Sequence, residues 1–260
     1  LIAFFHYYFR IILLLRGKNI SCINAHSLSV LPLAVALKYW KKSTLIYDTH
    51  ELETETHSLK GFRQSFAKLV EKSLIFQPDQ IFCVSEEISI WYATRYKREK
   101  PKTILNSAQL EPSVKSTFLR DQFQLRLDQK VALYLGGIEP GRGIDKLVHV
   151  FEKRSDDSMI VVFVGYGSLV SYLKASPSYG RTVFYHSAVP RNQIAHVASS
   201  ADIGLCLVNP TCLSYSYCMP NKLFEYLMSG LPVVVSSCVS LKRFVKHHSI
   251  GFTIDEMNTK

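Results

Sequence analysis

The chain has 260 residues, 47% hydrophobic and 20% charged, which is enough for one large α/β domain or two small ones and too apolar for a disordered chain. Its net charge of +10 suits anionic partners without choosing one. The basic residues are dispersed, with no helix-turn-helix pattern or aromatic-interleaved basic stretch, so nucleic acid is not an expected partner.

The chain opens on Leu1, as a fragment or processed product would. Leu1 to Leu15 is apolar but interrupted by His6 and Arg10, and it is shorter than the ~20 residues of a membrane span. A buried helix is expected there, with a helix lying on a membrane surface as the other reading. Ile20 to Asn24 reads as a strand, and Leu31 to Trp40 as a helix capped by Ser29. Thr44 to Tyr47 is a strand ending at Asp48, Thr49 and His50, and Phe62 to Phe76 a helix. Gln80 to Val84 is a strand, after which Ser85 caps a helix over Glu86 to Tyr96, and Thr103 to Leu105 is a further strand. Ser107 to Lys130 is polar and aperiodic apart from one possible short helix.

A second alternating series follows. Strands are predicted at Val131 to Leu135, Met159 to Val164, Val183 to Tyr185, Ile203 to Val208, Pro232 to Ser236 and Gly251 to Ile254. Helices fall between them, at Gly143 to Arg154, after Gly167, and over Asn192 to Ser199, Asn221 to Ser229 and Leu241 to His248. Strands alternating with helices imply parallel sheets covered on both faces, so the fold class is α/β with two Rossmann-like domains. The expected division is a partial first domain over 1–110, a linker over 111–130 and a second domain over 131–260.

In such folds ligands bind beyond the carboxyl ends of the strands. Three strand-end loops stand out. Gly136-Gly137-Ile138-Glu139-Pro140-Gly141-Arg142-Gly143 brings glycines and an arginine fork to a helix start, which suits phosphate and equally suits a tight turn with a surface arginine. Gly165-Tyr166-Gly167 is another strand-to-helix turn. Asn221-Lys222-Leu223-Phe224-Glu225 begins a helix with a lysine in its first turn, where a cation opposes the helix dipole and a bound anion would offset it. Glu225, one turn on, has the carboxylate needed to accept from two ribose hydroxyls. Asp48, His50, Glu51, Glu53, Glu55 and His57 form a run of metal-ligand types, but Thr54 stands where a His-Glu-x-x-His motif needs its second histidine, so no metal is expected. The six cysteines contain no Cys-x-x-Cys pair and read as reduced, mostly buried thiols of a cytosolic protein.

Tyr47 to Leu52, Val84-Ser85-Glu86, Asn106, the Gly136 to Gly143 loop, Ala201 to Gly204 and Pro220 to Val235 resemble, in order and spacing, the family 4 glycosyltransferases, which are retaining enzymes of the GT-B type. The resemblance implies a nucleotide-sugar donor as co-substrate, no cofactor, a saccharide or lipid-linked acceptor, and an anionic membrane surface as a further partner. By position, Arg142 and Lys222 resemble donor-diphosphate contacts, and Glu225 the ribose-binding glutamate. Gly136, Gly137, Gly165, Gly167 and Leu223 resemble donor-site positions, Ser187 to Pro190 the segment meeting the base, and His50 the histidine facing the transferred sugar. The pattern departs at Tyr217, where many members have a first glutamate, and at Gly137, where many have a second arginine. By the same resemblance the chain reads as truncated at both ends, with its N-terminal domain incomplete. The expected activity is hexosyl transfer with retention, in polysaccharide or glycolipid synthesis on the cytoplasmic side of a membrane. A nucleotide-sugar epimerase of similar shape and a non-catalytic nucleotide-binding remnant are the alternatives.

Overall fold

In a computed structural model, residues 2–108 and 114–255 are described, the side chains of 2–5 excepted. The chain divides into two compact units, Leu1–Leu105 with Cys212–Ser214, and Asn106–Thr211 with Tyr215–Lys260.

The first unit contains α1 (Ile2–Leu15), β1 (Cys22–Ala25), α2 (Leu31–Lys41), β2 (Thr44–Thr49), α3 (Gly61–Leu74), β3 (Gln80–Cys83), α4 (Glu86–Tyr96) and β4 (Lys102–Thr103). Its strands form one parallel sheet in the order β1-β2-β3-β4. Ser85 caps α4 as its position predicts, its Oγ accepting from the Ile88 N–H at 3.3 Å. Ser29 does not cap α2. Its Oγ pairs with Ser27 Oγ at 2.6 Å, and Val30 precedes the helix without a side-chain bond. The expectation of a buried α1 is also overturned, since Tyr7, Phe9, Leu13 and Leu14 are each more than half exposed. Apolar composition alone does not guarantee a covering layer.

The second unit contains α5 (Phe118–Phe123), β5 (Lys130–Gly137), α6 (Ile144–Glu152), β6 (Met159–Tyr166), α7 (Val170–Lys174), β7 (Val183–Ser187) and α8 (Ile194–Ala198). It continues through β8 (Ile203–Cys206), α9 (Leu213–Ser216), α10 (Asn221–Met228), β9 (Val233–Ser236), α11 (Val239–His248) and β10 (Gly251–Ile254). Ser214, in α9, belongs by its contacts to the first unit. Six parallel strands lie in the order β10-β9-β8-β5-β6-β7.

The alternation along these strands explains why they read as continuous apolar runs. Val131, Leu133 and Leu135 face one apolar cluster together with Val197, Leu223 and Leu241, while Ala132 and Tyr134 face the other with Ile144, Val148 and Leu173. The strip read as a linker over 111–130 is a correction. Residues 111–113 lie outside the described residues, but α5 belongs to the second unit, and Leu119 is fully buried in its core. Asp202 ties this strip to the sheet, accepting from Arg120 at 3.1 Å and from the Val131 N–H at 2.8 Å.

The strand order reverses at β5, which has β6 on one side and β8 on the other. Such a switch point opens a crevice at the carboxyl ends of the two strands. Here β5 and β8 pair only at Ala132 with Ile203 and Leu133 with Gly204. Just beyond, the Tyr226 hydroxyl of α10 takes over, accepting from the Leu135 N–H at 2.7 Å and donating to the Leu205 carbonyl at 3.2 Å. Its ring occupies the space over Gly204, where an added Cβ would come within 2.3 Å of it.

Candidate functional site

The crevice beside β5 collects several of the residues singled out in the sequence. Gly136 and Gly141 adopt positive φ, at 110° and 80°, and Gly143, at 71°, is the residue before α6. The loop between them is anchored on three sides. The Ile138 N–H donates to the Tyr166 carbonyl at 2.8 Å, the Asn209 N–H donates to the Gly141 carbonyl at 3.0 Å, and Glu139 accepts from the Ser168 N–H at 3.0 Å. Arg142 is half-buried over this loop, its Nε 3.9 Å from where a Cβ on Gly137 would stand.

Lys222 enters the same crevice from the first turn of α10. Its side chain is buried, with Cε 3.8 Å from a Cβ placed on Gly136 and Nζ 3.6 Å from the centre of the Tyr134 ring. The ammonium has no hydrogen-bond partner and lies over an aromatic ring. Burial, with Arg142 adding repulsion, lowers its pKa to about 8, against the opposing pull of Cys206 and Glu225. Two cations, one of them orphaned, at a switch point and beside a loop of positive-φ glycines make a site for an anion.

Glu225 stands one turn along α10 and borders a cavity of about 540 Å³. Ser107, Val189, Arg191, Asn192 and Ala195 line it as well, so the Ser187 to Pro190 segment and Glu225 share one space. Burial raises the Glu225 pKa, opposed by Lys222 and Arg191. For both Lys222 and Glu225, desolvation outweighs their mutual attraction. A ligand with an anionic group at one end and hydroxyl donors at the other would offset both desolvation costs.

The remaining donor-site expectations separate. Gly165 and Gly167 serve the backbone. A Cβ on Gly165 would lie 1.9 Å from the Gly136 carbonyl oxygen, and one on Gly167 would lie 2.2 Å from that of Ile138. Their role is close approach between the ends of β5 and β6. The Leu223 side chain is fully buried in the core, and its N–H donates to the Pro220 carbonyl at 3.1 Å. Leu223 thus supports the helix without offering a free group.

His50 belongs to the first unit. It follows β2, and its Nε2 lies 3.0 Å from His26 Nδ1, the two rings stacking with centres 5.3 Å apart. His26 Nδ1 is also 3.3 Å from Asp48 Oδ2. The sequence reading missed His26, because only the pairing of Ala25 with Tyr47 carries it alongside Asp48. Glu53, from the same acidic run, accepts from the Leu28 N–H at 2.8 Å, and burial raises its pKa to about 7.

None of the six cysteines forms a disulfide, and Cys83, Cys206 and Cys238 are buried. Among the described residues, no helix is long and apolar enough to cross a membrane.

No curated protein matches the chain in sequence. Similar solved structures share the fold at low identity. The Anabaena protein HepE, in complex with UDP and glucose, superposes with a TM-score of 0.73 at 14% identity, over 95% of this chain and 67% of that one. Sucrose-phosphate synthase from Thermosynechococcus elongatus gives 0.73 at 18% identity, over 95% and 63%. The lipopolysaccharide outer core galactosyltransferase WaaB gives 0.62 at 14% identity, over 95% and 65%. The chain thus spans about two thirds of the length of these proteins. Likeness of this kind establishes the Rossmann-like GT-B architecture. The family model described as glycosyl transferases group 1 matches residues 115–260, more than half of the chain and nearly all of the unit that holds Arg142, Lys222 and Glu225. On that match the chain belongs to the glycosyl transferases group 1 family.

Proposed function

We propose that this chain binds a nucleoside diphosphate sugar in its second unit and belongs to an enzyme that transfers the sugar, with retention, to an acceptor hydroxyl. The observation that carries the reading is the buried, partnerless ammonium of Lys222 at the β5–β8 switch point, with Glu225 one turn away on the wall of a cavity. Lys222 and Arg142 would hold the diphosphate, and Glu225 would accept from the ribose. As the bond to the sugar breaks, negative charge grows on the departing diphosphate. Cations fixed beforehand in a partly desolvated crevice stabilise that charge more than they stabilise the bound donor. UDP in the Anabaena HepE structure supports uracil as the base. His50 is proposed to position the transferred sugar.

The lipopolysaccharide galactosyltransferase among the similar folds supports a role in cell-surface polysaccharide or glycolipid synthesis, with a saccharide or lipid-linked acceptor. Exposed Phe9, Leu13 and Leu14 on α1 and Phe62, Phe66 and Leu69 on α3, in a chain of net charge +10, support attachment to an anionic membrane surface. Calorimetry with UDP and GDP tests donor binding. Release of nucleoside diphosphate from nucleotide sugars, with and without lipid-linked acceptors, tests transfer. Acceptor-dependent release supports the reading, release of a changed nucleotide sugar indicates an epimerase, and binding without turnover indicates a nucleotide-binding remnant.

A further inference from the structure

We infer that His26, Asp48 and His50 form a binding site for a divalent transition-metal ion of zinc type at the carboxyl ends of β1 and β2. The argument begins with strand pairing. β1 and β2 run parallel with Ala25 opposite Tyr47, so His26 emerges from β1 beside Asp48. Asp48 lies at the end of β2, and His50 follows the strand on the turn after Thr49. One ligand atom from each residue lies within 4.8 Å of the other two.

The separations lie near those of coordination chemistry. Zinc bonds to imidazole nitrogen and carboxylate oxygen are about 2.0–2.2 Å long, so ligand atoms on one tetrahedral ion stand roughly 3.3–3.6 Å apart, within a few tenths of an ångström of two of the edges here. His26 Nδ1 lies 3.0 Å from His50 Nε2 and 3.3 Å from Asp48 Oδ2. Two imidazole nitrogens aimed at each other at that distance cannot both be protonated, because two N–H donors would collide. At least one presents a lone pair, which is the form a metal ion takes. The third edge, between Asp48 and His50, lies within 4.8 Å, and the exposed His50 side chain is free to turn toward a shared ion.

The loops are fixed without the ion. The Leu28 N–H, two residues past His26, donates to Glu53 Oε1 at 2.8 Å, tying the end of β1 to the segment after β2. The Thr49 hydroxyl donates to the Glu51 carbonyl at 2.6 Å and shapes the turn that carries His50. Two imidazoles and one carboxylate suit zinc and its neighbours better than magnesium or calcium, which prefer all-oxygen shells. Exposure of His26 and His50 leaves further positions open to water. The expectation of no metal was drawn from the run 48–57 alone, and His26 supplies the ligand that the run lacks.

His50 is also the residue proposed to position the transferred sugar, so metal uptake is read without nucleotide or sugar and its failure is distinguishable from failure of the transfer reading. The test is calorimetric titration of the tag-free full chain with zinc chloride, repeated with His26→Ala, Asp48→Asn and, as a control, His248→Ala, which removes one of the adjacent His247–His248 pair. The expected result is one saturable site per chain, weakened roughly tenfold or more by His26→Ala and by Asp48→Asn and unchanged by His248→Ala. Circular dichroism checks that the variants fold, and cobalt(II) absorption on the unmodified chain reports nitrogen and oxygen ligation independently. Absence of saturable uptake by the unmodified chain, or equal uptake by His26→Ala, overturns the site.

Discussion

Replacing Lys222 by methionine should make the second unit more stable while weakening its hold on nucleotide. The side chain is buried, and methionine fills a similar volume without a charge. Depression of the lysine pKa from 10.5 to about 8 corresponds to roughly 3 kcal/mol by which the fold disfavours the ammonium. The Tyr134 ring under Nζ returns on the order of 0.5–2 kcal/mol of that. A net gain of about 1–3 kcal/mol at pH 7 is therefore expected for Lys222→Met. The sign with pH follows from proton counting. The folded-state pKa lies below the unfolded one, so the unfolded chain holds more protons between about pH 8 and 10.5. The wild-type deficit is complete below that window and fades across it, and the advantage of the variant shrinks accordingly. Urea unfolding of both proteins at pH 7 and at about pH 9.5 measures the difference. Calorimetry with UDP at pH 7 should show the opposite ranking, because the variant lacks the cation proposed to hold the diphosphate. A variant destabilised by about 2 kcal/mol or more at pH 7 would refute the reasoning, since it would mean that the amine is already satisfied.

Glu225→Ala should weaken UDP binding by about 1.5–3 kcal/mol or more while leaving the unfolding midpoint nearly unchanged, measured by calorimetry and thermal melting; unchanged affinity would remove Glu225 from the site. Gly165→Ala should abolish soluble expression or destabilise the second unit by several kcal/mol, because the new methyl carbon would meet the Gly136 carbonyl at 1.9 Å; denaturant unfolding checks it. Glu53 has its pKa raised from 4.5 to about 7, so the stability it contributes is complete below pH 4.5 and is lost as pH rises through about 7. Glu53→Gln should flatten that fall between pH 5 and 8 in thermal melts of the chain.

The architecture was readable wherever local chemistry and tertiary packing agree. The helix Glu86–Tyr96 follows from Ser85 and an apolar face, and the strand Gly251–Ile254 from a short β-branched run after a glycine. Reading failed where distant partners decide. Ser29 has the right side chain for a cap, but Ser27 claims it. The helix Leu213–Ser216 is too short for any period to register. Leu223 sits in the most informative motif yet points into the core, and Asp202 looks like an ordinary strand-start acid until its bonds to Arg120 and Val131 are seen. At the candidate site, motif order in the sequence singled out Lys222, Arg142 and Glu225. That Lys222 is orphaned against Tyr134 depends on packing across 88 positions of chain and is invisible in either segment alone.

Tyr226 carries a mechanical implication. Its hydroxyl completes two broken rungs of the sheet ladder, and its own helix also bears Lys222 and Glu225. Sliding that helix along its axis, or rolling it, would strip both rungs at once. Donor recognition should therefore begin on an anvil already in place, with little rearrangement of the helix when the nucleotide arrives, and any gating motion is left to segments elsewhere in the fold.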